Sequence, residues 1–174
     1  MTTKFLLFRF LKNIDLHALT ALDVLENHYN MLNIKSLKRY DFFEFDVSAK
    51  GLKDEKFFSE LLLDSYEYVN PTKHGYFTTS LKHSRSSLDR FLLKVSPINR
   101  VISETFFDSK SFGQIKVSQS LLWEICINKL EKPYDQMQKD LFKNIGFSHS
   151  RDHGLLVNPL FEKASWCNVN EFYN

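Results

Sequence analysis

Apolar and polar residues alternate with a period of two over Asp41-Phe42-Phe43-Glu44-Phe45-Asp46-Val47, the pattern of a strand with one buried face, and an amphipathic helix follows after a short break. Leu121-Leu122-Trp123-Glu124-Ile125-Cys126-Ile127 repeats the pattern and is also followed by a helix. Glu44 and Glu124 lie 80 positions apart, and the same offset carries Phe43 onto Trp123, Phe45 onto Ile125, Val47 onto Ile127, Phe57 onto Met137 and Leu61 onto Leu141. A repeat of this length is too long for a solenoid unit and fits a duplicated small domain.

Around these strands the other elements fall into the same order twice. Phe5 to Leu11 is apolar on both faces and predicts an interior strand. Asp15 is placed to cap a helix whose stripe is Ala18, Leu22, Leu25, Tyr29 and Leu32. Lys35 to Val47 predicts an extended ribbon with a bend near Tyr40-Asp41. Lys53-Asp54-Glu55 opens a second helix with acidic residues in its first turn, and Phe57, Phe58, Leu61 and Leu62 form its buried stripe. Tyr66 to Val69 and Gly75 to Thr79 supply a closing strand around Asn70-Pro71, so residues 1–79 predict a β-α-β-β-α-β unit. Residues 80–90 are Ser-rich and basic and predict a linker.

Residues 91–174 predict the second unit. Phe91 to Val95 is its first strand, with Lys94 lying 85 positions beyond Arg9. Ile98 to Phe107 is its first helix, and Ile115 to Ile127 its ribbon. Pro133 and Gly146 punctuate its second helix. The loop Phe147 to Gly154 has no counterpart in the first copy, and Leu155 to Glu162 returns to the sheet toward Trp166. The expected class is α+β, with antiparallel sheets and helices on one face. Such a sheet leaves its other face bare. Pairing two units back to back or edge to edge buries that area at about 25 cal/mol per Å2, and fusing them in one chain removes the association entropy of a dimer.

Composition then limits what the folded chain can do. The chain has 174 residues, 43% of them hydrophobic and 25% charged, ordinary for a soluble globular protein. No run of 18 apolar residues exists to span a membrane, and the stretch after Met1 is too short for a secretory signal, so the expected compartment is cytoplasmic. Cys126 and Cys167 form no Cys-x-x-Cys pair and read as free thiols. The net charge of +2 argues against a nucleic-acid coat protein.

Candidate chemistry is sparse. The five glycines never cluster and no phosphate-binding loop is present, which disfavours ATP binding by this chain alone. His149 and His153 have the spacing of a helical metal pair, but they sit in a polar loop without a third ligand, so they read as solvent-exposed, as do His74 and His83. Glu44 and Glu124 could meet as acid and base across a local twofold, but alternation sets each opposite its aromatic neighbours and predicts solvated positions. Neither cysteine has neighbours that mark a nucleophile. Lys73, His74, Lys82, His83, Arg85 and Arg90 make the linker positive, either as a solvated strip or as a surface for nucleic acid or an acidic partner.

One resemblance runs through this order of elements. Asn33 to Val47 resembles the central ribbon of the PurS family, and Leu155-Leu156-Val157-Asn158-Pro159-Leu160-Phe161-Glu162 is similar to the segment that leads into that family's last strand. Leu61-Leu62-Leu63-Asp64-Ser65-Tyr66-Glu67 is a weaker echo in the first copy, and Ser118 to Leu122 is similar to the second repeat of fused forms. The family's Gly-rich approach to the first helix is absent at Lys12 to Leu19 and at Pro97 to Glu104. The resemblance implies a pair of ferredoxin-like units in one polypeptide, equivalent to a PurS dimer. It implies a non-catalytic bridging subunit of phosphoribosylformylglycinamidine synthase in purine biosynthesis. The partners implied are the synthetase and glutaminase subunits, which use ATP and glutamine to amidate formylglycinamide ribonucleotide. No catalytic residue, cofactor or metal is expected in the chain itself. Docking is expected at the ribbon residues Arg39 and Tyr40, at the Asn158-Pro159 turn and at Lys82 and Arg85 in the linker. The rival reading is a stand-alone duplicated module that binds RNA or DNA through Lys82, Arg85 and Arg90 and an open sheet.

Overall fold

The computed structural model describes residues 3–31, 33–47, 56–59, 61, 66–78, 80–81, 88–98, 105–109, 113–128, 133–145 and 155–173. In chain order the elements are β1 (Thr3–Leu11), α1 (Leu16–Asn27), β2 (Ile34–Val47), a helical segment at residues 56–59, β3 (His74–Thr78), β4 (Leu88–Pro97), β5 (Thr105–Ser109), β6 (Gly113–Asn128), α2 (Tyr134–Ile145), β7 (Glu162–Cys167) and a 3-10 turn at Val169–Glu171. The fold is α+β. One antiparallel sheet carries the strands in the order β3-β1-β2-β6-β4-β7, and β5 pairs with β6 beside that path.

The two longest strands make the centre. β2 and β6 run antiparallel from Ile34↔Ile127 to Val47↔Ile115, with a register irregularity between Ile34 and Ser36. The strand order reads the same from either edge, β3-β1-β2 on one side and β7-β4-β6 on the other. Asp41 lies opposite Leu121, its own equivalent under the 80-residue offset, so a local twofold axis passes between them. The cross-strand pairs Phe5↔Phe45 and Leu7↔Phe43 reappear as Phe91↔Ile125 and Leu93↔Trp123.

The turns agree in detail. Asn70 accepts the amides of Lys73 (3.0 Å) and His74 (2.8 Å) at its carbonyl and that of Thr72 (3.0 Å) at its side chain. Asn158 accepts from Phe161 (3.0 Å), Glu162 (2.7 Å) and Leu160 (3.1 Å) in the same way. Proline follows each asparagine and presets the backbone for the turn. Each turn then accepts an amide from the chain leaving its neighbouring strand, Lys12 to Lys73 (3.0 Å) and Ile98 to Phe161 (2.7 Å).

Strand alternation separates two faces. On one, Phe5, Leu7, Phe43, Phe45, Val47, Ile115 and Val117 cluster with Phe57, Phe58, Leu61, Tyr68 and Val69. Farther along that face Leu37, Phe91, Leu93, Trp123, Ile125 and Ile127 cluster with Ala18, Ala21 and Leu25 of α1 and with Met137 and Leu141 of α2. The opposite face holds Phe8, Tyr40, Phe42, Leu92 and Leu122, covered by Leu81, Phe172 and Tyr173. Phe172 packs edge-on against both Phe8 (5.8 Å between centroids) and Phe42 (5.6 Å).

Several expectations change here. Residues 34–47 form one continuous strand with no bend at Tyr40-Asp41, because β6 pairs with both halves and Arg9 holds the Asp41 carboxylate at 2.7 and 3.0 Å. The helix expected over Ile98 to Phe107 gives way to β5 at Thr105–Ser109, where a β-branched and aromatic Thr-Phe-Phe run pairs with Val117 to Gly113. The halves join edge to edge through β2 and β6, and the second face is covered by residues of the chain's own C-terminal segment. Within the expected linker, Leu81 is buried and Leu88 to Arg90 already belong to β4. His149, His153, His83, Lys82 and Arg85 lie outside the described residues.

One glycine is fixed by a close approach. Gly75 of β3 pairs with Phe10, and a Cβ there would stand 2.4 Å from the Phe10 ring. At the end of α1 Asn30 takes a left-handed φ of 52°, turning the chain so that the Met31 amide reaches the Leu25 carbonyl at 2.9 Å.

Phe45 is fully buried and meets the rings of Phe57, Phe58 and Tyr68 at 5.2 to 6.2 Å. Phe45→Ala is expected to destabilise the fold by about 4 kcal/mol, through lost transfer energy and an unfilled cavity, measured by urea denaturation.

Candidate functional site

The sheet face beneath the C-terminal segment carries a chain of charges. Glu124, in the middle of β6, is 2% exposed. Tyr40 donates its hydroxyl to one carboxylate oxygen at 2.8 Å. Arg90 donates to the other oxygen at 3.4 Å, the Cys126 thiol lies 3.6 Å from that oxygen, and Lys38 reaches within 3.9 Å from the rim. The Arg90 guanidinium also stacks over the Tyr173 ring at 5.3 Å. A carboxylate buried this deeply remains charged only where cations and hydrogen bonds replace its water.

Glu44 repeats the arrangement nearer the surface. Lys4 pairs with it at 3.3 Å and Lys94 also donates to it, with the Lys94 ammonium 5.1 Å above the Phe42 ring. The local twofold carries Lys4–Glu44 onto Arg90–Glu124, since Leu6 faces Glu44 as Leu92 faces Glu124. Each glutamate is thus committed to its own cations, and neither is arranged as an acid–base partner of the other. The expectation of solvated positions is corrected for Glu124, which the covering segment removes from water.

Electrostatics follow burial. Burial, followed by the Glu124 charge, raises the Tyr40 and Tyr173 phenols well above their ordinary range. Burial opposes ionisation of Glu44, but the Lys94 hydrogen bond and the charges of Lys94 and Lys4 outweigh it, so its carboxyl titrates below the usual range. Burial raises both Cys126 and Cys167, the opposite of what an activated nucleophile needs. His74 is lowered by burial and by Arg9, and its Nδ1 accepts the Asn70 amide at 3.1 Å, a turn-stabilising role. Among the described residues no group of three or more His, Cys, Asp or Glu side chains could hold a metal ion.

The residues expected to dock partners separate in the structure. Tyr40 is buried, as donor to Glu124. Arg39 points to the helix side and pairs with Asp15 at 3.0 Å, while the other Asp15 oxygen caps α1 by accepting from His17 and Ala18. Asn158 is consumed by its turn, and Pro159 is half-buried beside the exposed Leu160 and Phe161. Arg90, expected in a basic strip, is buried in an ion pair.

The periodicity did not reveal a groove next to Arg39. After Arg9↔Asp41, β1 parts from β2, and Phe10 and Leu11 continue in register with β3 alone. The space so opened is about 420 Å3, lined on one side by Ser36 to Tyr40 of β2 and on the other by Phe10, Leu11, Phe77, Ile14 and Leu19. Ile14 and Leu19 are 74% and 54% exposed, an unusual position for large aliphatic side chains. The signal in the sequence was the excess of leucine and isoleucine over Leu11 to Leu22 beyond what one helical stripe requires.

Two measurements address the buried cluster. Arg90→Met is expected to cost about 3–5 kcal/mol, because it leaves the Glu124 charge buried with weaker compensation, and adding Glu124→Gln should recover part of that loss in denaturant titrations. Because the folded-state values of Tyr40 and Tyr173 are raised, their contribution to stability is complete below about pH 10 and declines as the pH rises further. Their tyrosinate absorbance should therefore appear only as the chain unfolds, and Tyr40→Phe should make the alkaline loss of stability less steep. In comparison with known proteins, no family model, curated protein or solved structure matches this chain.

Proposed function

We propose that this chain is a non-catalytic bridging protein of the PurS kind, a tandem pair of ferredoxin-like units that holds together the synthetase and glutaminase subunits of phosphoribosylformylglycinamidine synthase. The observation that carries this reading is the local twofold at Asp41↔Leu121, which joins β3-β1-β2 to β7-β4-β6 as two subunits of a dimer would be joined. In each half the long central strand stands where a two-strand ribbon would lie. The matching Asn70-Pro71 and Asn158-Pro159 turns lend weight to the same reading. The thiols are raised, the carboxylates are paired, and the described residues include no activated nucleophile, which suits a protein that positions partners without reacting itself.

The nucleic-acid alternative has less support. Of the three cations it needs, Arg90 is buried against Glu124 and cannot contact a phosphate backbone. The second sheet face, which it would leave open, is covered by Phe172 and Tyr173.

The test is amidine formation by the synthetase and glutaminase with glutamine as nitrogen donor, with and without this chain. Activity is expected to depend on the chain, and the three proteins to elute together in size exclusion. Equal glutamine-dependent activity in its absence would remove the bridging role.

A further inference from the structure

A second pocket, of about 520 Å3, lies on the helix side of the sheet and shares Arg39 with the groove. It is lined by Leu16, His17 and Thr20 of α1, by Leu155, and by Arg39 and Trp123 from the central strands. Arg39 and Trp123 are cross-strand partners, so their side chains rise next to each other on this face. The polar groups gathered here are donors short of acceptors. Trp123 is 5% exposed, and its Nε1 is closed to water and has no hydrogen-bond partner. An indole N–H can only donate, and a buried donor left without an acceptor is uncommon and costly. Arg39 commits its Nε to Asp15 at 3.0 Å, and among the described residues no hydrogen bond engages its two amino groups. Thr20 adds a hydroxyl and His17 an imidazole, and no described residue lining the pocket is acidic. The remaining lining is apolar, with Leu16 left 67% exposed.

We infer that this pocket binds a small organic monoanion, a carboxylate carrying an apolar body. The carboxylate accepts from the two Arg39 amino groups as a fork and supplies the acceptor that the Trp123 N–H lacks. The apolar body lies against Leu16 and Leu155. Asp15 already offsets part of the Arg39 charge, which favours a monoanion over a phosphate dianion. The volume falls within the range usual for small-molecule sites. The site follows from its donors alone and does not depend on the bridging assignment.

The probes are phenylacetate, hydrocinnamate and isocaproate, each with its primary amide as the neutral control, titrated against the isotope-labelled full chain. The readout is the NMR resonance of the Trp123 Nε1–H, identified by its survival in Trp166→Phe. At least one carboxylate is expected to shift that resonance downfield and saturably, with its amide bound about tenfold or more weakly. Arg39→Met should weaken the carboxylate by about tenfold or more, and Arg39→Lys, which keeps the charge and loses the fork, by several-fold. Circular dichroism verifies that these variants fold. Thr20→Val leaves the Arg39–Asp15 pair intact and should still weaken binding by a few-fold. The proposal is overturned if none of the three carboxylates gives a saturable shift up to about 10 mM. It is also overturned if the amides bind as tightly as the acids, or if Arg39→Met folds and binds unchanged. Displacement of the carboxylate by an equal concentration of inorganic phosphate overturns the carboxylate assignment.

Discussion

Everything else in this molecule depends on the antiparallel pairing of β2 with β6. These are the longest strands, and they come from regions about 80 residues apart, so their pairing carries a large loop-closure cost before any contact is returned. The cost is met because both strands bury both faces. A slip of one residue would turn Phe43, Phe45, Trp123 and Ile125 away from the helices and bring Glu44 and Glu124 under them. Register is therefore selected twice over, by apolar side chains on one face and by charge on the other.

The charged face shows how a duplicated pair can diverge. Lys4–Glu44 and Arg90–Glu124 occupy equivalent places, but Lys4 is 57% exposed whereas Arg90 is 8% exposed. The exposed position holds a hydrated point charge on a flexible stem. The buried one holds a planar, weakly hydrated guanidinium that also stacks on Tyr173. What separates them is coverage by the C-terminal segment, whose Tyr173 lies against Arg90 while Lys4 stays exposed, and this makes near-identical ladders electrostatically unequal.

Much of this was legible in the sequence, because period-two alternation and helix punctuation are local signals. The strands around Phe43 and Trp123, the helical stripe of Phe57, Phe58 and Leu61, the Asp15 cap and the Pro133 start all come from neighbours within a few residues. Features that depend on distant parts of the chain are not legible there. The solvation of Glu124 is decided by Phe172 and Tyr173, and the continuity of β2 through Asp41 by β6 and Arg9. Thr105 to Phe107, the end of the helix expected over Ile98 to Phe107, are strand instead because they pair with Ile115 to Val117 of β6, a local hairpin that outweighs helical spacing. The groove beside Arg39 results from where β1 stops pairing, a feature of the ladder that the surplus of leucine and isoleucine over Leu11 to Leu22 accompanies but does not locate.

The cover over the second sheet face also has a bearing on synthesis. Phe8 and Phe42 emerge early, whereas Phe172, which shields both, follows Phe42 by 130 positions. Between them the described cluster gains one aromatic ring, Phe77, which stacks on Phe10, and Leu81 meets Tyr173 through an isolated bridge that also waits for residue 173. A growing chain therefore leaves Phe8 and Phe42 without this cover while those 130 residues are made, at about 5–20 residues per second. For those seconds the exposed rings are apolar surface of the kind that favours aggregation until the cover is complete.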